Sequence, residues 1–165
     1  MKHTISILVE NEFGVLSRIS GLFSGRGFNI ESLSVAPTLD ASISRMTIVT
    51  SGDEQILEQI TKQLNKLIDT IKVIDFTGQD YVERDLAMVK VNAEDSTRAE
   101  VLRIADIFRS KVIDVTPRSY TLEVTGAPAK VDAIIELLRP MGIKEVVRTG
   151  PVVLGRGAKG WRSNE

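Results

Sequence analysis

Residues 5–23, I-S-I-L-V-E-N-E-F-G-V-L-S-R-I-S-G-L-F, change their hydrophobic period partway along. Ile5, Ile7 and Val9 alternate, as a strand with one buried face requires. Val15, Leu16, Ile19, Leu22 and Phe23 then follow the spacing of one helical face. Gly25 and Gly27, on either side of Arg26, stop that helix. The next strand spans 28–36. Its apolar residues are Phe28 and Ile30, then Leu33 and Val35, and the single flip of phase places a bulge near Glu31 and Ser32. Residues 37–42 form a loop and 43–50 a strand. Asp53, after Ser51-Gly52, caps a second helix. That helix carries Ile56, Leu57, Ile60, Leu64, Leu67 and Ile68 on one stripe, and a closing strand covers 71–76. The order is strand, helix, strand, strand, helix, strand.

The same order returns further along. Residues 86–91 read as a strand, and Asp95 or Ser96 caps a helix carrying Val101, Leu102, Ala105 and Phe108. Strands at 111–116 and 119–125 are joined at Pro117. Pro128 opens the next helix, with Val131, Ile134, Ile135 and Leu138 on its buried stripe, and a last strand covers 143–148. The first helices of the two halves also share letters loosely, V-L-S-R-I-S-G-L-F-S against V-L-R-I-A-D-I-F-R-S. The fold class is therefore α+β: two ferredoxin-like βαββαβ units, each an antiparallel sheet backed by two helices. Residues 1–77 form the first domain, 78–85 a polar linker, 86–150 the second domain and 151–165 a glycine-rich, basic, flexible tail.

Composition removes most chemistries. The 165 residues contain no Cys, so disulfides, iron–sulfur clusters, thiolate zinc sites and thiol catalysis are excluded. A single His, at position 3, leaves no multi-histidine metal site. The net charge of -1 recruits neither nucleic acid nor an anionic membrane. No apolar run approaches the roughly 18 residues of a transmembrane helix. The N-terminal apolar run is short and soon acidic, unlike a signal peptide. A cytoplasmic protein is expected.

The residues with chemistry lie between the first strand and the first helix: Asn11-Glu12-Phe13-Gly14-Val15-Leu16. Asn11 is suited to cap the helix, with Gly14 in its first turn. N–H groups there lack intrahelical partners and the helix dipole is positive, so a carboxylate is attracted. Glycine at 14 lets a ligand approach the backbone.

That loop resembles the ligand loop of ACT domains, Asp/Asn-x-Pro-Gly-x-Leu. Longer strings resemble one family within them. Residues 18–38, R-I-S-G-L-F-S-G-R-G-F-N-I-E-S-L-S-V-A-P-T, residues 44–49, S-R-M-T-I-V, residues 84–91, R-D-L-A-M-V-K-V, and residues 108–126, F-R-S-K-V-I-D-V-T-P-R-S-Y-T-L-E-V-T-G, look like the small regulatory subunit of acetolactate synthase. The resemblance implies a non-catalytic chain that activates a separate large subunit. That subunit uses thiamine diphosphate, Mg²⁺ and FAD to make acetolactate from pyruvate, and the small subunit makes it sensitive to valine or another branched-chain amino acid. No cofactor, nucleic acid or membrane is implied for this chain. The resemblance also implies a homodimer whose effectors lie between protomers. Asn11, Gly14 and Val15 of one loop would face Asn29 and Ile30 on the second strand of the other. Phe13, Leu16, Val35 and Ala36 would line the pocket. Phe13 stands where the family usually has Pro or a small residue, so a phenyl ring is expected to alter the pocket's size or entry. Residues 1–77 are expected to hold the effector site and much of the activating surface.

Two other classes fit less well. An RNA-recognition module needs aromatics on its central strands, and 43–50 has none. A stand-alone amino-acid-sensing ACT regulator shares the loop but would not co-purify with a thiamine-dependent synthase. A unit of about 75 residues buries only about 60% of its unfolded surface, and a one-sided antiparallel sheet leaves edges open. Sedimentation of residues 1–77 at about 50 μM is therefore expected to show at least a dimer; a strict monomer contradicts this.

Overall fold

The computed structural model describes residues 1–161. The described chain divides into two compact units. The first comprises residues 1–82 together with the chain from Val153 onward, and the second comprises residues 83–152.

In the first unit the elements follow in the expected order: β1 (Lys2–Glu10), α1 (Val15–Ser24), β2 (Asn29–Pro37), β3 (Ile43–Ser51), α2 (Glu54–Lys66) and β4 (Thr70–Asp75). The sheet order is β2-β3-β1-β4, all antiparallel. β1 pairs with β3 residue for residue from Lys2↔Ser51 to Glu10↔Ile43. Ile5, Ile7 and Val9 point to the helix side, where they pack with Val15, Ile19 and Phe23 of α1 and Leu57, Ile60 and Leu64 of α2. The register shift between Ile30 and Ser32 is the bulge that the phase flip predicts. Asp53 caps α2, its carboxylate accepting from Gln55 N–H at 2.7 Å.

The second unit holds most of β5 (Tyr81–Asn92), then α3 (Arg98–Ile107), β6 (Lys111–Val115), β7 (Ser119–Gly126), α4 (Pro128–Leu138), a short 3-10 turn and β8 (Ile143–Arg148). The sheet order is β6-β7-β5-β8, and β9 (Val152–Gly155) also pairs with β5. Val89, Val91, Leu122 and Val124 meet Val101, Ile104, Val131, Ile134 and Leu138 in its core. Each half is thus a βαββαβ unit.

Several local expectations are corrected. Phe28 precedes β2 rather than opening it, and is buried under the sheet end. The stretch 78–85, expected as a linker, is mostly the start of β5, and Asp85 within it is 1% exposed. The tail expected from 151 carries β9, with Val153 buried. Arg162, part of the same basic stretch, lies outside the described residues. Thr97, not Asp95 or Ser96, is the N-cap of α3. Ile68 lies beyond the end of α2 and is exposed, and Leu102 points outward. The stripe through Ile68 overruns the end of α2, whereas Leu102, inside α3, lies beside the buried Val101 but off its packed face.

Asp85 is buried because it is paired. Arg148, at the end of β8, donates to its Oδ2 through Nε at 3.0 Å and Nη2 at 2.5 Å. Its Nη1 donates to Asp132 of α4 at 2.6 Å. One guanidinium thereby ties β5, β8 and α4 together, and desolvation is offset by two hydrogen-bonded carboxylates. Asp85→Ala leaves Arg148 short of a partner and is expected to destabilise the second unit by about 3 kcal/mol. Urea denaturation checks this; a change below about 0.5 kcal/mol contradicts it.

Candidate functional site

The residues from 10 to 18 are held from two sides. Glu10 N–H donates to the Asp69 carbonyl at 2.8 Å, and Asn11 N–H to the Ser42 carbonyl at 2.8 Å. The Asn11 side chain does not cap α1. Its Nδ2 donates to the Ala41 carbonyl at 3.0 Å, which turns Asn11 toward the β2–β3 loop. Its Oδ1 accepts no hydrogen bond among the described residues.

Gly14 is itself the N-cap, at φ +80°, with no side chain capping the helix. A left-handed residue at this point costs an L side chain about 1–2 kcal/mol, which is why glycine stands here. The first intrahelical bond runs from Arg18 N–H to the Gly14 carbonyl. The N–H groups of Val15, Leu16 and Ser17 therefore have no helical acceptor, and no acidic residue lies in this first turn to neutralise them.

A second charge stands beside this terminus. Arg18 donates to Asp69 Oδ2 through Nε at 3.0 Å and Nη2 at 2.6 Å. Its Nη1 lies 3.1 Å from where a Cβ on Gly14 would sit. The pair binds α1 to the turn leading into β4 and holds the guanidinium over Gly14. Sequence reading missed this pair. Its only signal is Arg18 standing four residues after Gly14, one helical turn along.

The remaining expected site residues are surface residues of the isolated chain. Phe13 is fully exposed, and Leu16 and Val35 are each 44% exposed. Neither belongs to the core, although Leu16 and Val35 stand on apolar stripes of the sequence; the buried Val15 beside Leu16 does belong to it. Val35 faces the helix side opposite Met46, at the sheet's outer strand. Asn29 and Ala36 are exposed and Ile30 is half-buried.

The register places these groups at two ends of one sheet. Asn29 pairs with Ser51, which pairs with Lys2, at the start of β1. The 11–14 loop follows Glu10 at the other end. Eight residues of strand separate the ends, roughly 25 Å. One chain does not bring Asn11 and Gly14 to Asn29 and Ile30.

No group of three or more His, Cys, Asp or Glu among the described residues is placed to hold a metal ion. No described helix is long and apolar enough to cross a membrane.

Fold and loop together define a chain with two ferredoxin-like units, the first an ACT domain whose first helix starts at Gly14 without a side-chain cap. Comparison makes this specific. Residues 5–72 match the model of the AHAS small subunit-like ACT domain, and residues 84–157 that of the small subunit of acetolactate synthase. The chain is 55% identical over 156 residues to the acetolactate synthase small subunit of Aquifex aeolicus, covering 94% of this chain and 81% of that one. It is 51% identical to that of Haemophilus influenzae, covering 96% and 98%. The crystal structure of the Thermotoga maritima small subunit superposes with a TM-score of 0.87 at 38% identity, covering 96% and 99%. The chain belongs to the acetolactate synthase small subunit family.

Two glycines of this region separate strain from helix propensity. Gly14→Ala is expected to cost about 1–2 kcal/mol through its positive φ and its approach to Arg18. Gly21→Ala, inside α1 with open space around its would-be Cβ, is expected to stabilise by up to about 1 kcal/mol. Chemical denaturation of both variants reads the difference; equal effects contradict the assignment of strain. Gly14→Asp carries the same backbone cost, so it is a less clean probe of ligand binding than residues of ordinary φ.

Proposed function

We propose that this chain is the regulatory subunit of an acetolactate synthase. It raises the activity of a thiamine-diphosphate-, Mg²⁺- and FAD-dependent large subunit and confers feedback inhibition by valine. It has no catalysis and no cofactor of its own, and it works as a homodimer in the cytoplasm. Support comes from the family and from its relatives' designation as small subunits. The observation that carries the effector reading is the register: the loop and Asn29 lie at opposite ends of one sheet, so they meet only across two copies.

β2 is an edge strand with a free row of backbone groups. Pairing it antiparallel with β2 of a second copy brings Asn29 of that copy toward the Pro37 end. That end lies on the side of the sheet where the 11–14 loop stands, because Pro37 pairs with Ser44 and Ser44 with Val9. A valine between the copies then finds a partner for each of its groups. Its carboxylate takes the free N–H groups of Val15 and Leu16 and the Nη1 of Arg18. Its ammonium is accepted by Asn11 Oδ1 and by Asn29 Oδ1 of the second copy. Its isopropyl group lies against Leu16 and Val35, with Phe13 narrowing the entry and Ile30 and Ala36 flanking the strand side.

Valine bound across the copies stabilises one arrangement of the dimer. It shifts the large subunit only by its difference in affinity between arrangements. Titrating the purified large subunit with this chain is expected to raise acetolactate formation, and valine to reverse part of that gain. Asn29→His is expected to keep activation and weaken valine binding about ten- to a hundred-fold, the loss of one hydrogen bond to a charged group. Calorimetry with circular dichroism as a folding check measures this. Unchanged valine affinity in both Asn29→His and Asn11→Ala rejects the site; no effect of the chain on the large subunit rejects the function.

A further inference from the structure

The sheet of the first unit has a second face, turned away from α1 and α2, and it is not an ordinary solvent face. Leu8 on it is fully buried. Leu8 pairs with Arg45 of β3 on one side and with Lys72 of β4 on the other, so both cations stand on that face in one row. Two strand spacings separate them, roughly 10 Å. Arg45 Nη2 donates to the Val153 carbonyl at 2.9 Å, and Lys72 Nζ to the Trp161 carbonyl at 3.3 Å. Between them is a cavity of about 280 Å³, bounded by Arg45, Lys72, Lys159, Ile74, Phe76 and Trp161, all within the first unit.

Among the described residues the charge there is unbalanced. Among the described residues no carboxylate lies within ion-pair distance of Arg45, Lys72 or Lys159. Six arginines elsewhere hold carboxylates: Arg18, Arg98, Arg103, Arg139, Arg148 and Arg156. Those without one, Arg26, Arg84, Arg109 and Arg118, are exposed. Arg45 alone of these unpaired arginines is half-buried, and burial lowers its basicity from the ordinary value. A half-buried cation whose hydrogen bond runs to a carbonyl is partly desolvated, and an anion beside it would offset that cost.

We propose that this cavity binds a small organic polyanion, its phosphate or carboxylate oxygens held by Arg45, Lys72 and Lys159 and its apolar part resting on Ile74, Phe76 and Trp161. Such a ligand bridges β3, β4 and the segment 155–161. It lies on the face opposite the helices and is independent of the valine site.

Trp161 is the single tryptophan of the chain, so its fluorescence reports the cavity directly. The full chain is titrated with pyrophosphate and, separately, with citrate, at ionic strength held constant with sodium chloride. A saturable change below about 1 mM is expected for at least one probe. Pyrophosphate alone identifies phosphate chemistry, citrate alone carboxylate chemistry, and both identify a general polyanion site. Arg45→Gln and Lys72→Gln are each expected to weaken binding about tenfold or more, and the exposed Lys159→Gln about threefold without disturbing the fold. No saturable response to either probe up to about 10 mM overturns the proposal. So does an equal response to sodium chloride, or affinity unchanged in Lys159→Gln and in whichever of the other two variants folds.

Discussion

β1 lies between β3 and β4 and is buried on both faces: Ile5, Ile7 and Leu8 are fully buried and Val9 nearly so. Its unbroken pairing with β3 fixes which residues share an end and which share a face. Ends and faces then decide the chemistry. One end carries the Gly14 loop and the other Asn29; one face carries the helices and the other Arg45 and Lys72. A slip of one residue in β1 would exchange Ile5, Ile7 and Val9 for Ser6 and Leu8 beneath the helices, so this register is strongly specified.

The second unit repeats the topology with a different electrostatic tie. Arg148 of β8 bridges Asp85 of β5 and Asp132 of α4. The helix starts differ too. α2 begins at Asp53 with Glu54 behind it, and α3 has Glu100 in its first turn. Those carboxylates satisfy the positive end of the helix dipole within the chain. α1 has none, and Arg18 adds positive charge at its start. α4 also lacks an acid in its first turn, but there Pro128 has no N–H to offer. The start of α1 is therefore open to an anion.

Elements with long periodic stripes were legible in the sequence: α1, α2, the strands β1 to β8, and the bulge of β2 from a single change of phase. Errors fall where a tertiary partner decides. Asp85 reads as linker because it is charged, and only Arg148, 63 residues away, makes its burial tolerable. Asn11 reads as a cap, but its side chain is drawn to Ala41 across the sheet end, and Gly14 takes the cap by adopting positive φ. Val153 reads as tail because one apolar residue among glycines has no period. Of the candidate site, the loop was legible from glycine and asparagine chemistry, whereas Arg18 with Asp69 was not, since 51 residues separate them.

An effector site shared between two copies predicts complementation. Asn11→Ala damages the loop half and Asn29→His the strand half, so each homodimer has two damaged sites. A mixed dimer has one site with both defects and one with neither. Valine calorimetry on the re-equilibrated mixture tests this directly. The account predicts that tight binding, lost in each variant alone, returns in the mixture at about one site per four chains, since random mixing makes half of the dimers hybrid. A mixture that binds valine no better than the separate variants would contradict it and return the whole site to one chain.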